Sequence, residues 1–272
     1  MSLLAATRSE GTKLFSTAGW WILALVLVVY VGSTAGGMAA IFGASASGSL
    51  PGATDAQVPS EGLAPVLYSL AGSFGYVFPL LIGTLMVTTE FRHQTLTPTF
   101  LTVPRRGTVV WGKVLMGLLA GALFGVVAVV SAVGPAAGVL AAFGLDTTLG
   151  TGDTWALIGR TVLALTLWAL VGIGVGTLVR NQVVAVVVVL AFTQFLEPLL
   201  RLAASFVDGL AEAARFLPGA ASDALVGTSI YDVMGAGGTE PLVWWGGGLV
   251  LVAYALVLLL IGYITTWTRD VT

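Results

Sequence analysis

The sequence predicts an all-α protein that crosses a membrane repeatedly as a single transmembrane domain over residues 1–272. Three observations carry this. Only 9% of the 272 residues are charged, while 57% are hydrophobic; a soluble domain carries roughly 25% charged residues. The mean hydropathy is +0.99. The apolar residues gather into six runs of about the ~20 residues that a helix needs to cross a bilayer. These runs are too long, and alternate too little, to be barrel strands.

The elements follow in order. Residues 1–18 read as an amphipathic N-terminal helix containing Glu10 and Lys13. Span one covers 20–42 and opens on the interfacial pair Trp20-Trp21. Its length, with no small-residue cleavage site after a short apolar core, favours an uncleaved helix over a signal peptide. Span two covers 63–88 and is free of charge. Span three covers 109–143, too long for one straight crossing, so Gly134-Pro135 is expected to kink or end it. Spans four, five and six cover 154–179, 183–203 and 242–267. The segment 205–240 mixes Leu, Phe and Ala with Asp208, Glu212, Arg215 and Asp223. It suits short amphipathic helices at the interface or dipping part-way into the membrane.

The basic residues orient the chain. With the N-terminus inside, Arg8, Lys13, Arg92, Arg105, Arg106, Lys113, Arg180 and Arg269 are cytoplasmic, leaving Arg160, Arg201 and Arg215 of the 11 outside. The positive-inside rule then predicts both termini in the cytoplasm.

The stretch TTEFRHQTLTPTFLTVPRRGTVVWGK, residues 88–113, interrupts this apolar background with Glu90, Arg92, Arg105, Arg106, Lys113 and the single histidine, His93. It is the principal cytoplasmic loop, about 89–108. Phe91, Leu96, Phe100 and Leu101 give a rough apolar stripe on a short helix from about Glu90, with Arg92, His93, Gln94 and Thr95 on the other side. The break at Val103-Pro104 and the basic pair Arg105-Arg106 follow. Read from the residues alone, the loop is either a topology anchor or a short helix for a soluble partner to grip.

Other motifs carry less. Gly107 to Lys113 approaches a phosphate-binding loop, but Val114 stands where Ser or Thr must hold magnesium. One histidine and no cysteine disfavour a metal centre. Glu197 and Arg201 lie four apart near the outer end of span five, as a local ion pair or part of an outer gate. Thr193 and Gln194 are polar positions that a substrate path or an interhelical hydrogen bond could use. Arg160 reads as a snorkelling anchor. Glycines repeat every four residues at 117, 121 and 125, at 172 and 176, and at 32 and 36, which lets neighbouring helices approach closely.

On Glu90, Arg92, Thr95, Phe100, Leu101, Pro104, Arg105, Arg106 and Lys113, the loop resembles the cytoplasmic loop of permease subunits of type-2 ATP-binding-cassette (ABC) exporters, with Gln94 where those have Gly. LAATRSEGTKLFSTAGWWIL (4–23) is similar to their N-terminal helix and first span. VGIGVGTLVRNQVVAVVVVLAFTQFLEPLL (171–200) resembles their fourth and fifth spans. The resemblance implies a six-helix permease in a bacterial cytoplasmic membrane that pairs with a second permease. Two copies of a separate ATPase would bind ATP and magnesium, with no cofactor on this chain. Glu90, Phe91, Arg92, Thr95, Phe100, Leu101, Pro104, Arg105 and Arg106 would form the coupling helix that meets the ATPase. Such a chain has no catalytic residues, no nucleic-acid partner, and exports a drug, lipid or hydrophobic peptide. The rivals are an ion- or proton-coupled secondary transporter, which should show internal repeats and buried ionisable groups, and a membrane scaffold or sensor.

Overall fold

The computed structural model describes residues 2–47, 62–95, 106–204, 206–233 and 241–267, and among these every regular element is helical. Six helices are long and apolar enough to cross a membrane: Gly19–Ala46, Leu63–Arg92, Gly107–Ala142, Gly152–Leu178, Gln182–Ala204 and Trp244–Thr265. They are numbered here as spans one to six. The chain is a multi-pass membrane protein.

Span two is the axis of the bundle. It packs against spans one, three, four and five, while span six packs on span four. Of its most apolar window 89% is buried, against 22% in spans one, five and six, whose remaining surface is apolar and exposed. The threonine hydroxyls of span two are satisfied by backbone carbonyls. Thr84 donates to the carbonyls of Leu80 and Gly172, and Thr88 donates to the carbonyl of Thr84. Such bonds let hydroxyls sit inside an apolar bundle without leaving a donor unpaired.

The glycine repeats are used for packing within the chain. A Cβ at Gly172 would fall on the Leu80 carbonyl, and one at Gly83 on the Ala169 carbonyl, so spans two and four meet backbone to backbone. Gly121 and Gly125 admit Thr166 and Val162 of span four. Gly32 and Gly36 of span one receive Ser131 and Pro135 of span three.

That last contact bears on the expectation that Gly134-Pro135 would kink or end span three. Span three does not end at Gly134-Pro135: one helix runs from Arg106 to Ala142 with Pro135 inside it. The ring of Pro135 fills the notch left by Gly36, so packing holds the proline in a helix that propensity alone would break. Span two also departs. It divides at Tyr76 into Leu63–Gly75 and Val77–Arg92, and its second half extends past residue 88 to take in Glu90 and Arg92. Glu90 to Arg92 are therefore the last turn of span two and do not begin a new helix.

The 205–240 segment forms helices Asp208–Ala214, Pro218–Val226 and Ile230–Val233 among its described residues. Pro218–Val226 is buried, inserted against spans two, four and six. Gly247 allows this, because a Cβ there would overlap the Ala221 carbonyl.

Candidate functional site

Polar side chains concentrate at the two ends of the bundle. At one end lies the N-terminal helix, Leu3–Phe15, capped by Ser2, whose hydroxyl accepts from the Ala5 amide. Ala6, Glu10 and Leu14, each four apart, form its buried stripe. It rests on span three, where Gly112 meets Ala6 and Gly11 meets Met116. A corner then turns the chain into span one: the Trp20 indole donates to the Phe15 carbonyl at 3.2 Å, and the two rings meet edge to face.

The stripe carries Glu10 into a four-charge cluster. Lys13 Nζ lies 2.8 Å from Glu10 Oε1 and 2.6 Å from Glu90 Oε1. Lys113 Nζ lies 2.5 Å from Glu10 Oε2 and 2.9 Å from Glu90 Oε2, and also donates to the Met86 carbonyl at 3.2 Å. The contact with Glu90 Oε2 lacks hydrogen-bond geometry and is an ion pair only. Two carboxylates thus face two ammoniums, and Lys113 and Glu90 are 1% and 4% exposed. Burial alone would lower the pKa of Lys13, but Glu10 and then Glu90 more than offset it and hold it above its ordinary 10.5. Three separate elements, the N-terminal helix and spans two and three, are tied at one point.

Beyond Glu90, span two closes with a hydrogen-bonded cap. The Thr95 amide donates to the Glu90 carbonyl and the Gln94 amide to the Phe91 carbonyl, with Gln94 at φ 53°. This is a Schellman arrangement, whose left-handed residue is usually Gly. It falls at the position where the resemblance expects Gly. Phe91 packs inward on Val87, Val109 and Ile173, while Arg92 is exposed and donates to the Gln182 side chain at 3.3 Å. Phe100, Leu101, Pro104 and Arg105 lie outside the described residues, as does the side chain of Arg106.

At the opposite end, span five contains a π-helical turn, Phe192–Leu196, whose Thr193 carbonyl accepts from the Tyr76 hydroxyl at 3.0 Å. The turn sets Glu197 inward, 2% exposed. The expected Glu197–Arg201 pair forms, at 3.4 Å, but the closer partner of Arg201 is Asp223 at 2.7 Å. Glu197 Oε1 accepts from the Gly219 amide at the start of the inserted helix. Asp223 also accepts from Ser229 and Ser73, and Trp168 donates to Ser222. Arg201 lies over the Tyr231 ring at 4.9 Å. Burial raises the pKa of the Tyr231 phenol and Arg201 opposes this, while Asp223 adds to the rise. Span five, span two and the inserted helix are joined here around a cavity of about 10 Å³, room for one water. Thr193 is buried, its hydroxyl bonded to the Val189 carbonyl, and Gln194 is exposed on the bundle surface. Neither side chain joins the cluster. Arg160 stacks on Trp244 at 5.0 Å.

Sequence reasoning missed Lys113 as a site residue and missed Asp223, Ser73 and Tyr231. A lysine within an apolar span is itself a signal, because it must find a carboxylate. The partners of Arg201 had none, since they depend on how the inserted helix returns. Among the described residues no group of three or more His, Asp or Glu could hold a metal. No protein-family model matches the chain, and no curated protein matches it.

Proposed function

We propose that the chain is the permease subunit of an ABC exporter of the type-2 class, lying N-in and C-in in a cytoplasmic membrane. It works with a second permease and two copies of a separate ATPase that hydrolyses magnesium-ATP. The observation that carries this reading is the four-charge cluster that flanks the segment 96–105, within the expected cytoplasmic loop 89–108. Glu90 ends span two a few residues before the loop, and Lys113 stands a few residues after the helix resumes at Arg106. A force on the loop is thereby delivered to spans two and three and to the N-terminal helix together. The basic pair Arg105-Arg106 is the contact offered to the ATPase. In this reading Glu90, buried within the cluster, anchors the segment to the bundle.

In this reading the Glu197–Arg201–Asp223 cluster holds the outer end of span five closed on the inserted helix. Cargo is hydrophobic or amphiphilic, in keeping with the apolar spans. A second reading, a proton-coupled transporter with no ATPase, is favoured by one observation, the buried carboxyl of Glu197 with Oε2 unpartnered among the described residues.

Co-purification separates the two. The exporter reading predicts that tagged wild-type chain will bring down a P-loop ATPase, and that Arg105→Ala/Arg106→Ala will reduce the yield. A well-folded wild type that retains no ATPase under gentle extraction contradicts the exporter reading.

A further inference from the structure

A cavity of about 490 Å³ opens at the end of the bundle that carries the N-terminal helix, between that helix, the start of span one, the second half of span two and the first residue of span five. Its volume lies in the range of small-molecule sites. Its chemistry is graded along span two. The exposed Arg92 and His93 mark its solvent side, or mouth, where Lys13 and Gln182 also line it; Leu85 and Ile82 lie two and three turns further up span two, and Trp20 and Leu14 add to the apolar lining. Ten residues of continuous helix separate Ile82 from Arg92, about 15 Å at 1.5 Å per residue. That is half the ~30 Å hydrocarbon thickness of a bilayer.

Among the described residues the charge at the mouth is unbalanced. Glu10 and Glu90 are matched by Lys13 and Lys113, and Arg92 is a further cation whose partner among the described residues is the neutral Gln182 side chain. Two of the three N–H groups of Lys13 serve carboxylates, leaving one for a ligand. Arginine binds phosphate in bidentate fashion, and basic residues at the bilayer surface attract anionic headgroups. An inorganic anion would satisfy the mouth but leave the apolar depth empty. At the end of the membrane-crossing bundle such a site would meet the headgroup layer, and Trp21 and Ile22, next to its lining residue Trp20, are exposed.

We propose that this cavity binds one anionic phospholipid of the adjoining leaflet, its phosphate on Arg92, Lys13 and His93 and an acyl chain along Leu85 and Ile82. The proposal requires the membrane and not the ATPase, so it stands or falls apart from the permease reading.

The test is binding of tail-labelled phosphatidylglycerol to the purified full chain in detergent, with phosphatidylcholine and inorganic phosphate as competitors. Saturable binding is expected, displaced by unlabelled phosphatidylglycerol at least tenfold better than by either competitor. Arg92→Gln weakens it about fivefold or more, Arg92→Lys less, and Leu85→Trp, which fills the depth without changing charge, abolishes it. Where Arg92→Gln yields no folded protein, His93→Asp on the exposed rim serves instead. Equal displacement by phosphatidylcholine, or by inorganic phosphate, overturns the proposal, as does undiminished binding to folded Leu85→Trp.

Discussion

Lys113, on the third span, places its ammonium 2.5 Å from Oε2 of Glu10, on the N-terminal helix. Both groups are nearly out of reach of solvent. An amphipathic helix that could lie loosely on the membrane surface is therefore fastened to the bundle by charge. Breaking a buried pair by removing one partner costs about 3–5 kcal/mol, because the other charge is left uncompensated. Lys113→Met should lower the melting temperature sharply in fluorescence-detected gel filtration. Adding Glu10→Gln to it should restore part of the loss, since the cluster is then neutral again.

The same cluster fixes a pH dependence. Lys13 has its pKa raised above 10.5 in the folded state by Glu10 and Glu90, against the effect of burial. A raised cation contributes stability that is complete below its unfolded pKa and is lost as pH rises through the folded one. Proteolysis of residues 2–15 should be unchanged up to about pH 10 and accelerate only above 10.5. Acceleration between pH 7 and 9 would count against the cluster.

Gln94 occupies a left-handed conformation at the end of span two, with φ 53°. For an L residue this costs roughly 1–2 kcal/mol. Gln94→Gly is expected to stabilise the protein by up to about 1 kcal/mol, some of the gain being lost to the entropy of the freer unfolded chain. Gln94→Val should destabilise it. Thermal unfolding of the two variants in parallel decides the sign.

Spans two and four meet across glycine. Gly172→Ala would drive a methyl into the Leu80 carbonyl, and overpacking of this kind costs about 1–3 kcal/mol. Gly159→Ala, on the same span with nothing within 4 Å of its Cβ, is the matched control and should be neutral or slightly stabilising. Equal melting temperatures for the two variants would contradict the packing described.

Arg201 holds the inserted helix through Asp223. Cysteine is absent from the chain, so a single introduced thiol reports cleanly. Ala224→Cys, at a buried position of that helix, should resist a hydrophilic maleimide. Adding Arg201→Gln should raise its labelling rate about tenfold, the equivalent of ~1.4 kcal/mol of easier opening. An unchanged rate would mean that apolar packing alone holds the helix.

The spans were legible because a bilayer imposes length and composition on any helix that crosses it, and both are local properties of sequence. The i,i+4 spacing of Glu197 and Arg201 was legible for the same reason. What remained hidden depends on contacts between distant residues. Pro135 was expected to kink or end the helix because propensity says so, and the notch at Gly36 that receives its ring was not visible in sequence. Asp223 outranks Glu197 as the partner of Arg201 because a segment 22 residues later folds back into the bundle. Glu90 lay within the expected cytoplasmic loop, and the resemblance placed it in the helix that meets the ATPase. Its burial follows from Lys13 and Lys113, 77 and 23 positions away.

The proposed function requires the segment 96–105 to face the cytoplasm and meet an ATPase there. Its most direct test is site-specific cross-linking in cells. Arg105→Cys, carrying a photoreactive maleimide, should yield a covalent adduct with the neighbouring P-loop ATPase. The same reagent on Phe206→Cys, an exposed position at the other end of the bundle, should yield none. Labelling of position 105 from outside intact cells, or an ATPase adduct from position 206 and none from 105, would contradict the account.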